Sequence, residues 1–347
     1  MMPPTLLLTR VDVARCLSLG DCILAVEQAF RAHAEGRALG PGALGVHAGD
    51  GGFHVKAAGL PHSRSYFAAK INANFPRNPE RLGLPMIQGI IYLCDAENGF
   101  PLAVMDSIEI TILRTGAASA VAAKYLARED APVMTICGCG NQGRVQLRAL
   151  AQVRKLERAF AFDIDAEKAE TFARQLSAEL HIEVRTVREV ATAAPQSDIC
   201  VTCTPSRQAF LMREHIAPGT FVAAVGADSP EKHELDPGLL AGSKVVVDIL
   251  EQCASIGELH HALQGGWMRC DEVHAELGEI VAGRKPGRES AEEIIIFDST
   301  GTALQDVAAA AIAYENALAA GLGRRIEFAP APDAHQTRSA EYGLGNL

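Results

Sequence analysis

"VMTICGCGNQGRVQLRALAQV", residues 133–153, is the stretch on which the fold turns. The apolar run VMTIC reads as a buried strand, and the residues after NQG read as a helix. Between them stands G-x-G-x-x-G on Gly138, Gly140 and Gly143. The glycine pattern alone is weak, but a strand before it and a helix behind it mark a dinucleotide-binding turn. The glycines allow a tight bend and let the backbone, with Gln142 in the same turn, approach a pyrophosphate held at the helix N-terminus. The next strand, in "FAFDID", ends at Asp163, the position from which a carboxylate reaches both ribose hydroxyls and repels a 2′-phosphate. NAD is therefore expected, and NADP disfavoured. Asp165 competes for this role, with spacing preferring Asp163; the structural alternative is a glycine turn followed by an acidic helix cap. Thr204 and Ser206, in "CTPS" after a later apolar strand, are further candidates for cofactor contact.

Outward from this turn the chain alternates strand and helix over roughly 132–300, through "RAFAFDIDAEKAETFARQLS", "SDICVTCTPS", "GTFVAAVGAD" and "SKVVVDIL". That alternation predicts a doubly wound parallel sheet. The N-terminal part reads differently. Two helical pieces over 11–36 precede strands at 42–58 and 64–75, then a hairpin over 85–106 turning at "DAENG", then an alanine-rich helix over 109–130. A last helix, 302–321, reads as amphipathic, and the tail from Phe328 has little to bury.

Composition narrows the function. The 347 residues suggest two domains, and 48% hydrophobic with 21% charged residues is ordinary for a globular protein. A net charge of −10 argues against a nucleic-acid surface, which needs clustered Lys and Arg. No apolar run nears the ~20 residues of a membrane span, and the N-terminus lacks the basic segment of a signal peptide. Nine cysteines, an odd number spread through strands and helices, fit reduced thiols and a cytoplasmic location. "CVTC", Cys200–Cys203, matches a redox or zinc spacing, but its strand context and the lack of a second ligand pair favour a structural role.

Six segments together, "KINANFPRN" (70–78), "LRTGAAS" (113–119), "GCGNQG" (138–143), "VGADSPEKHEL" (225–235), "HAELGEIVAGRKPGR" (274–288) and "FDSTGTALQDVAAA" (297–310), resemble the ornithine cyclodeaminase/mu-crystallin family. The resemblance spans roughly residues 5–325. It implies an α/β fold in which a Rossmann-type domain is inserted into a second, α+β domain with a mixed, largely antiparallel sheet. The expected division is 1–116 plus 308–330 for substrate binding and dimerisation, 117–307 for NAD binding, and 331–347 as a loose tail. Homodimers are expected to form by pairing the sheets of the substrate domains.

The resemblance also implies roles. Lys70 and Arg114 stand where family members hold a substrate carboxylate, a task suited to a guanidinium fork plus an ammonium. The plainer reading makes them a solvated strand residue and a helix cap. Asp228 stands at the proton-carrying position of the amino-acid-converting members, where mu-crystallin has serine, and partial burial is expected to raise its pKa. Capping of the turn in "SPEK" is the alternative. Two departures bear on the substrate. Cyclising members usually carry arginine at the position of Ala43 and an acid near His54, and neither is present. Lys56, where methionine is commoner, is read as a relocated carboxylate clamp, since a lysine in an apolar strand is costly unless paired. The expected function is NAD(H)-dependent oxidation of a small α-amino acid or reduction of an α-imino acid. Ornithine cyclodeamination and non-catalytic small-ligand binding are the alternatives.

Overall fold

The computed structural model describes residues 4–327; the expected loose tail, 331–347, lies outside the described residues. Among the described residues the strands are β1 (Thr5–Leu8), β2 (Leu39–Ala48), β3 (Gly51–Pro61), β4 (Ser65–Asn74), β5 (Ile87–Asp95), β6 (Pro101–Asp106), β7 (Val133–Cys137), β8 (Arg158–Phe162), β9 (Glu183–Thr186), β10 (Ile199–Thr202), β11 (Arg207–Leu211), β12 (Phe221–Ala224), β13 (His233–Leu235), β14 (Lys244–Val247), β15 (Ala275–Glu276), β16 (Ile295–Asp298) and β17 (Arg324–Ile326).

A seven-stranded mixed sheet runs β17-β1-β6-β5-β4-β3-β2, antiparallel throughout except that β1 lies parallel to β6. The N-terminal strand and β17, neither foreseen from the pattern, close one edge. One rung of this sheet carries two cations. Leu8, Met105, Ile91, Lys70, Lys56 and Ala43 are successive cross-strand partners, running from a buried apolar end to an exposed edge. Cross-strand partners share a face, so the two lysines project to the same side.

The second sheet has eight strands, all parallel, in the order β15-β14-β16-β12-β10-β7-β8-β9. The order reverses between β7 and β10, and in open parallel sheets ligands bind outside the carboxyl ends of the strands at such a reversal. β11 and β13 form a separate parallel pair beside it. The expected fold class, a Rossmann-type parallel sheet with a mixed sheet, is borne out.

The helix Ile108–Leu126 joins the halves: it packs on helix Leu19–Ala34 on one side and on Asn141–Val153 on the other. The last helix, Ala303–Ala320, corrects an expectation. It is not amphipathic but buried almost all round, from Ala303 to Tyr314, between β3, β4 and the helices 19–34 and 108–126. Its alanines allow that close packing, and they also bring two polar residues, Gln305 and Asp306, into the interior. "CVTC" begins on β10, with Cys200 fully buried, in keeping with the structural reading.

Candidate active site

Gly138 leaves β7 with φ of 105°, a region that favours glycine, and a Cβ there would stand 2.9 Å from the Cys203 carbonyl. The two strand ends at the order reversal can touch only because residue 138 has no side chain. Gly140 precedes helix 141–153, whose first turn receives no side-chain cap, and a Cβ at 140 would meet nothing within 4 Å. Gly143 lies one turn in, against the Gly138 carbonyl. The buried Oε1 of Gln142 has no hydrogen-bond partner among the described residues. An uncapped helix N-terminus with open space before it and an unpaired polar atom beside it fits a pyrophosphate.

Asp163 and Asp165 separate here. Asp165 is a helix cap, accepting from the Lys168 N–H at 3.2 Å. Asp163 faces the glycine turn, accepting from the Cys139 N–H at 2.8 Å and the Asp165 N–H at 3.0 Å. Thr204 and Ser206 lie just past β10 with their hydroxyls already engaged: Thr204 Oγ1 donates to Glu234 at 2.7 Å, and Ser206 Oγ to the Gln208 carbonyl at 2.7 Å.

On the mixed sheet and helix 108–126, Lys70 and Arg114 converge on one carboxylate, and Lys56 holds the turn beside them. Asp306, 2% exposed, has Oδ2 at 2.6 Å from Lys70 Nζ and Oδ1 at 3.0 Å from Arg114 Nε. Arg114 also donates to Gln305 Oε1 at 2.8 Å. Lys56, half-buried, donates to the main-chain carbonyls of Thr300 at 3.3 Å and Gly301 at 2.6 Å. Gly301, φ 75°, must be small because a Cβ would collide with the Arg114 guanidinium. Its turn is pinned by buried Asp248, which accepts from the Gly301 N–H at 2.7 Å and Ser299 Oγ at 3.0 Å. The plainer reading of Lys70 as solvated does not hold, since it is 4% exposed.

Three cations around one acid leave positive charge in a poorly solvated place. The titration behaviour reflects it. Burial pushes Lys70 down to about 7; Asp306 opposes the fall, while Arg114 and Lys56 add to it. Lys56 is lowered by burial and by Arg114. Burial would raise the Asp306 carboxyl, but Lys70 and Arg114 hold it below the usual range.

Asp228 sits four residues beyond the end of β12 at 55% side-chain exposure, with Lys232 Nζ 2.5 Å from its Oδ1. Among the described residues its side chain accepts from no backbone N–H; the turn is closed by the Lys232 N–H, which donates to the Ser229 carbonyl at 3.1 Å. The expectation of a raised pKa is overturned. Desolvation pushes the Asp228 carboxyl up, but Lys232, Lys56 and His54 outweigh it and hold it below its ordinary value. Among the described residues no group of three His, Cys, Asp or Glu side chains is arranged to hold a metal ion.

The sequence pattern of the ornithine cyclodeaminase/mu-crystallin family matches residues 4–321. This chain belongs to the ornithine cyclodeaminase/mu-crystallin family. Within it, the fold is similar to an archaeal alanine dehydrogenase dimer with bound NAD, at 41% identity and a TM-score of 0.90, covering 94% of this chain and 99% of that one. The Thermococcus litoralis Δ1-pyrroline-2-carboxylate reductase, in complex with NADH and L-proline, is 37% identical with a TM-score of 0.89, covering 93% and 100%. The Paracoccus denitrificans iminosuccinate reductase, in complex with NAD+, is 32% identical with a TM-score of 0.86, covering 93% and 99%.

Two residues of this family member's cleft escaped the sequence reading. Asp306 lies in the quoted segment "FDSTGTALQDVAAA", where an acid on the face of an alanine-rich helix was the available signal. Gln252, whose Nε2 donates to Thr300 Oγ1 at 2.6 Å and to the Gly301 carbonyl at 2.9 Å, carries no local signal.

Proposed function

We propose that the protein is an NAD(H)-dependent oxidoreductase acting on the C–N bond of a small α-amino or α-imino acid. The observation that carries the reading is the gathering of Lys56, Lys70 and Arg114 around Asp306 and the Thr300–Gly301 turn, just past the carboxyl end of β16. The excess cations call for an anionic ligand, and a guanidinium with ammonium groups suits a carboxylate. An alanine dehydrogenase and two reductases named for imino acids, all close in fold, support the same reaction class.

In this reading Gly138, Gly140, Gln142 and Gly143 hold the cofactor pyrophosphate, Asp163 the ribose hydroxyls, and Thr204 and Ser206 border it. NAD, when bound, supplies the hydride acceptor, or in its reduced form the donor. The acid at 163 supports NAD over NADP. Lys56, Lys70 and Arg114 fix the substrate carboxylate. The substrate ammonium competes with Lys232 for Asp228, which takes one proton from nitrogen; loss of hydride from Cα of the resulting amine leaves the iminium, the protonated imine. In reverse, protonated Asp228 returns that proton to nitrogen. Lys56 is the direct cross-strand partner of Ala43, so a cation absent from β2 is supplied one strand over on the same rung.

The division into a substrate and dimerisation part, 1–116 with 308–330, and an NAD part, 117–307, belongs to the same proposal. A homodimer is supported by the exposed apolar side chains Leu44, Ile71 and Ile90, which lie on the next rung and therefore on the opposite face from the clamp. No helix among the described residues is long and apolar enough to cross a membrane. A cytoplasmic site is proposed from the nine unpaired cysteines, eight of them buried or half-buried.

The test is NADH consumption with a panel of α-keto acids plus ammonia and with cyclic imino acids, run with Asp228→Asn alongside. Turnover in the wild type, lost in the variant while NADH still binds, is the expected result. Conversion of ornithine to proline and ammonia with only catalytic NAD, and no NADH consumption elsewhere, would replace this reading with cyclodeamination. Tight ligand binding without turnover would replace it with a binding protein.

A further inference from the structure

Glu234 takes no part in the proposed chemistry, yet it is fully buried on the short strand β13. Its two carboxylate oxygens serve two different loops. Oε1 accepts from the Thr204 N–H at 2.6 Å and from the Thr204 hydroxyl at 2.7 Å, just past β10. Oε2 accepts from the Gly226 N–H at 3.1 Å, just past β12 and two residues before Asp228. The approach to Gly226 needs a glycine, because a Cβ at 226 would collide with Oε2.

The carboxylate is itself held from behind. The Glu234 N–H donates to Glu258 Oε1 at 2.8 Å and the Leu235 N–H to Glu258 Oε2 at 3.1 Å. β13 is further anchored by its parallel pairing with β11. A buried acid with three donors from two loops has little room to move, since any shift of one loop leaves a desolvated oxygen unpaired.

We propose that Glu234 is a positioning residue that couples the Thr204–Ser206 loop, on the cofactor side, to the loop carrying Asp228. Occupation of the nucleotide site is then felt at the proton-carrying group, and the distance between cofactor and Asp228 is set by one carboxylate. The inference rests on the proposed function in taking these loops as cofactor-facing and proton-carrying.

Amide hydrogen exchange with and without NADH tests it without requiring turnover. In the wild type, NADH slows exchange in both 203–206 and 225–232. Glu234→Gln keeps the shape but offers one acceptor where two are used, so it releases one loop. In that variant the NADH-induced protection persists over 203–206 and falls by roughly tenfold or more over 225–232, the value of a hydrogen bond to a charged group. Gly226→Ala attacks the other end of the tie through the collision with Oε2 and is expected to give the same uncoupling if the first variant folds poorly. Protection of 225–232 that is equal in wild type and both variants overturns the proposal, as does a wild type whose 225–232 segment does not respond to NADH. A wild type that shows coupled protection but consumes NADH with no imino acid sinks the functional reading and leaves the coupling. Turnover with uncoupled loops in the wild type does the reverse.

Discussion

Lys70 offers a measurement that reaches the centre of the carboxylate site. Burial pushes its ammonium down to about 7, with Asp306 opposing and Arg114 and Lys56 assisting. A carboxylate arriving beside it favours the charged form and raises that value. Above pH 7 the free protein therefore holds Lys70 largely neutral, the complex holds it charged, and binding takes up a proton. With a pKa of about 7, Lys70 is protonated in about one molecule in eleven at pH 8 and about ten in eleven at pH 6. Binding one carboxylate therefore draws about 0.9 proton from buffer at pH 8 and about 0.1 at pH 6. The apparent affinity weakens about tenfold per pH unit above 7 until the pKa of the complex is reached. Pyruvate with NAD present and ammonia absent is a suitable non-reacting probe. Titration calorimetry at pH 8 in buffers of different ionisation enthalpy gives the proton count as the slope of observed heat against buffer heat. The slope should be about +0.9 in the wild type and near zero in Lys70→Met. A flat wild-type plot, or a slope that survives in Lys70→Met, refutes the assignment of the proton to Lys70.

Other perturbations act on the same contacts. Lys232→Met removes the cation 2.5 Å from Asp228; the carboxyl then protonates more readily, so the acid limb of the kcat/KM profile moves to higher pH, and an unmoved limb would count against Asp228 as the titrating group. Lys56→Met should raise KM for the amino acid about tenfold or more, the value of one charged hydrogen bond, with a smaller change in kcat; steady-state kinetics with unchanged KM would return Lys56 to a packing role. Asp306→Asn leaves Lys70 and Arg114 buried without their carboxylate and should cost about 3–5 kcal/mol in denaturant unfolding, an unchanged midpoint being the contrary result.

What could be read in the linear chain was whatever its own neighbours dictate. VMTIC followed by GCGNQG and a helix needs only local sterics and hydrogen bonds, and the strand, the positive-φ Gly138 and the open helix N-terminus are all found in place. The hairpin turning at "DAENG" is equally local. Asp163 against Asp165 was half legible: spacing preferred one, and the fold shows the other as a helix cap.

Tertiary structure decided the rest, because the determining partners are distant in sequence. Lys56, Lys70, Arg114 and Asp306 come from two adjacent strands and two helices, and no periodicity in any one of them reports the other three. The last helix was read as amphipathic from its few polar residues among alanines; only packing against β3, β4 and two helices shows that it is buried almost all round and that Gln305 and Asp306 belong to a buried ion-pair site. For Asp228 the sequence by itself determined the residue and its place after a buried strand. Its charge was decided in three dimensions: desolvation and attraction to nearby cations act in opposite directions on a carboxylate, and only the position of the Lys232 ammonium, with Lys56 and His54 beyond it, shows which prevails.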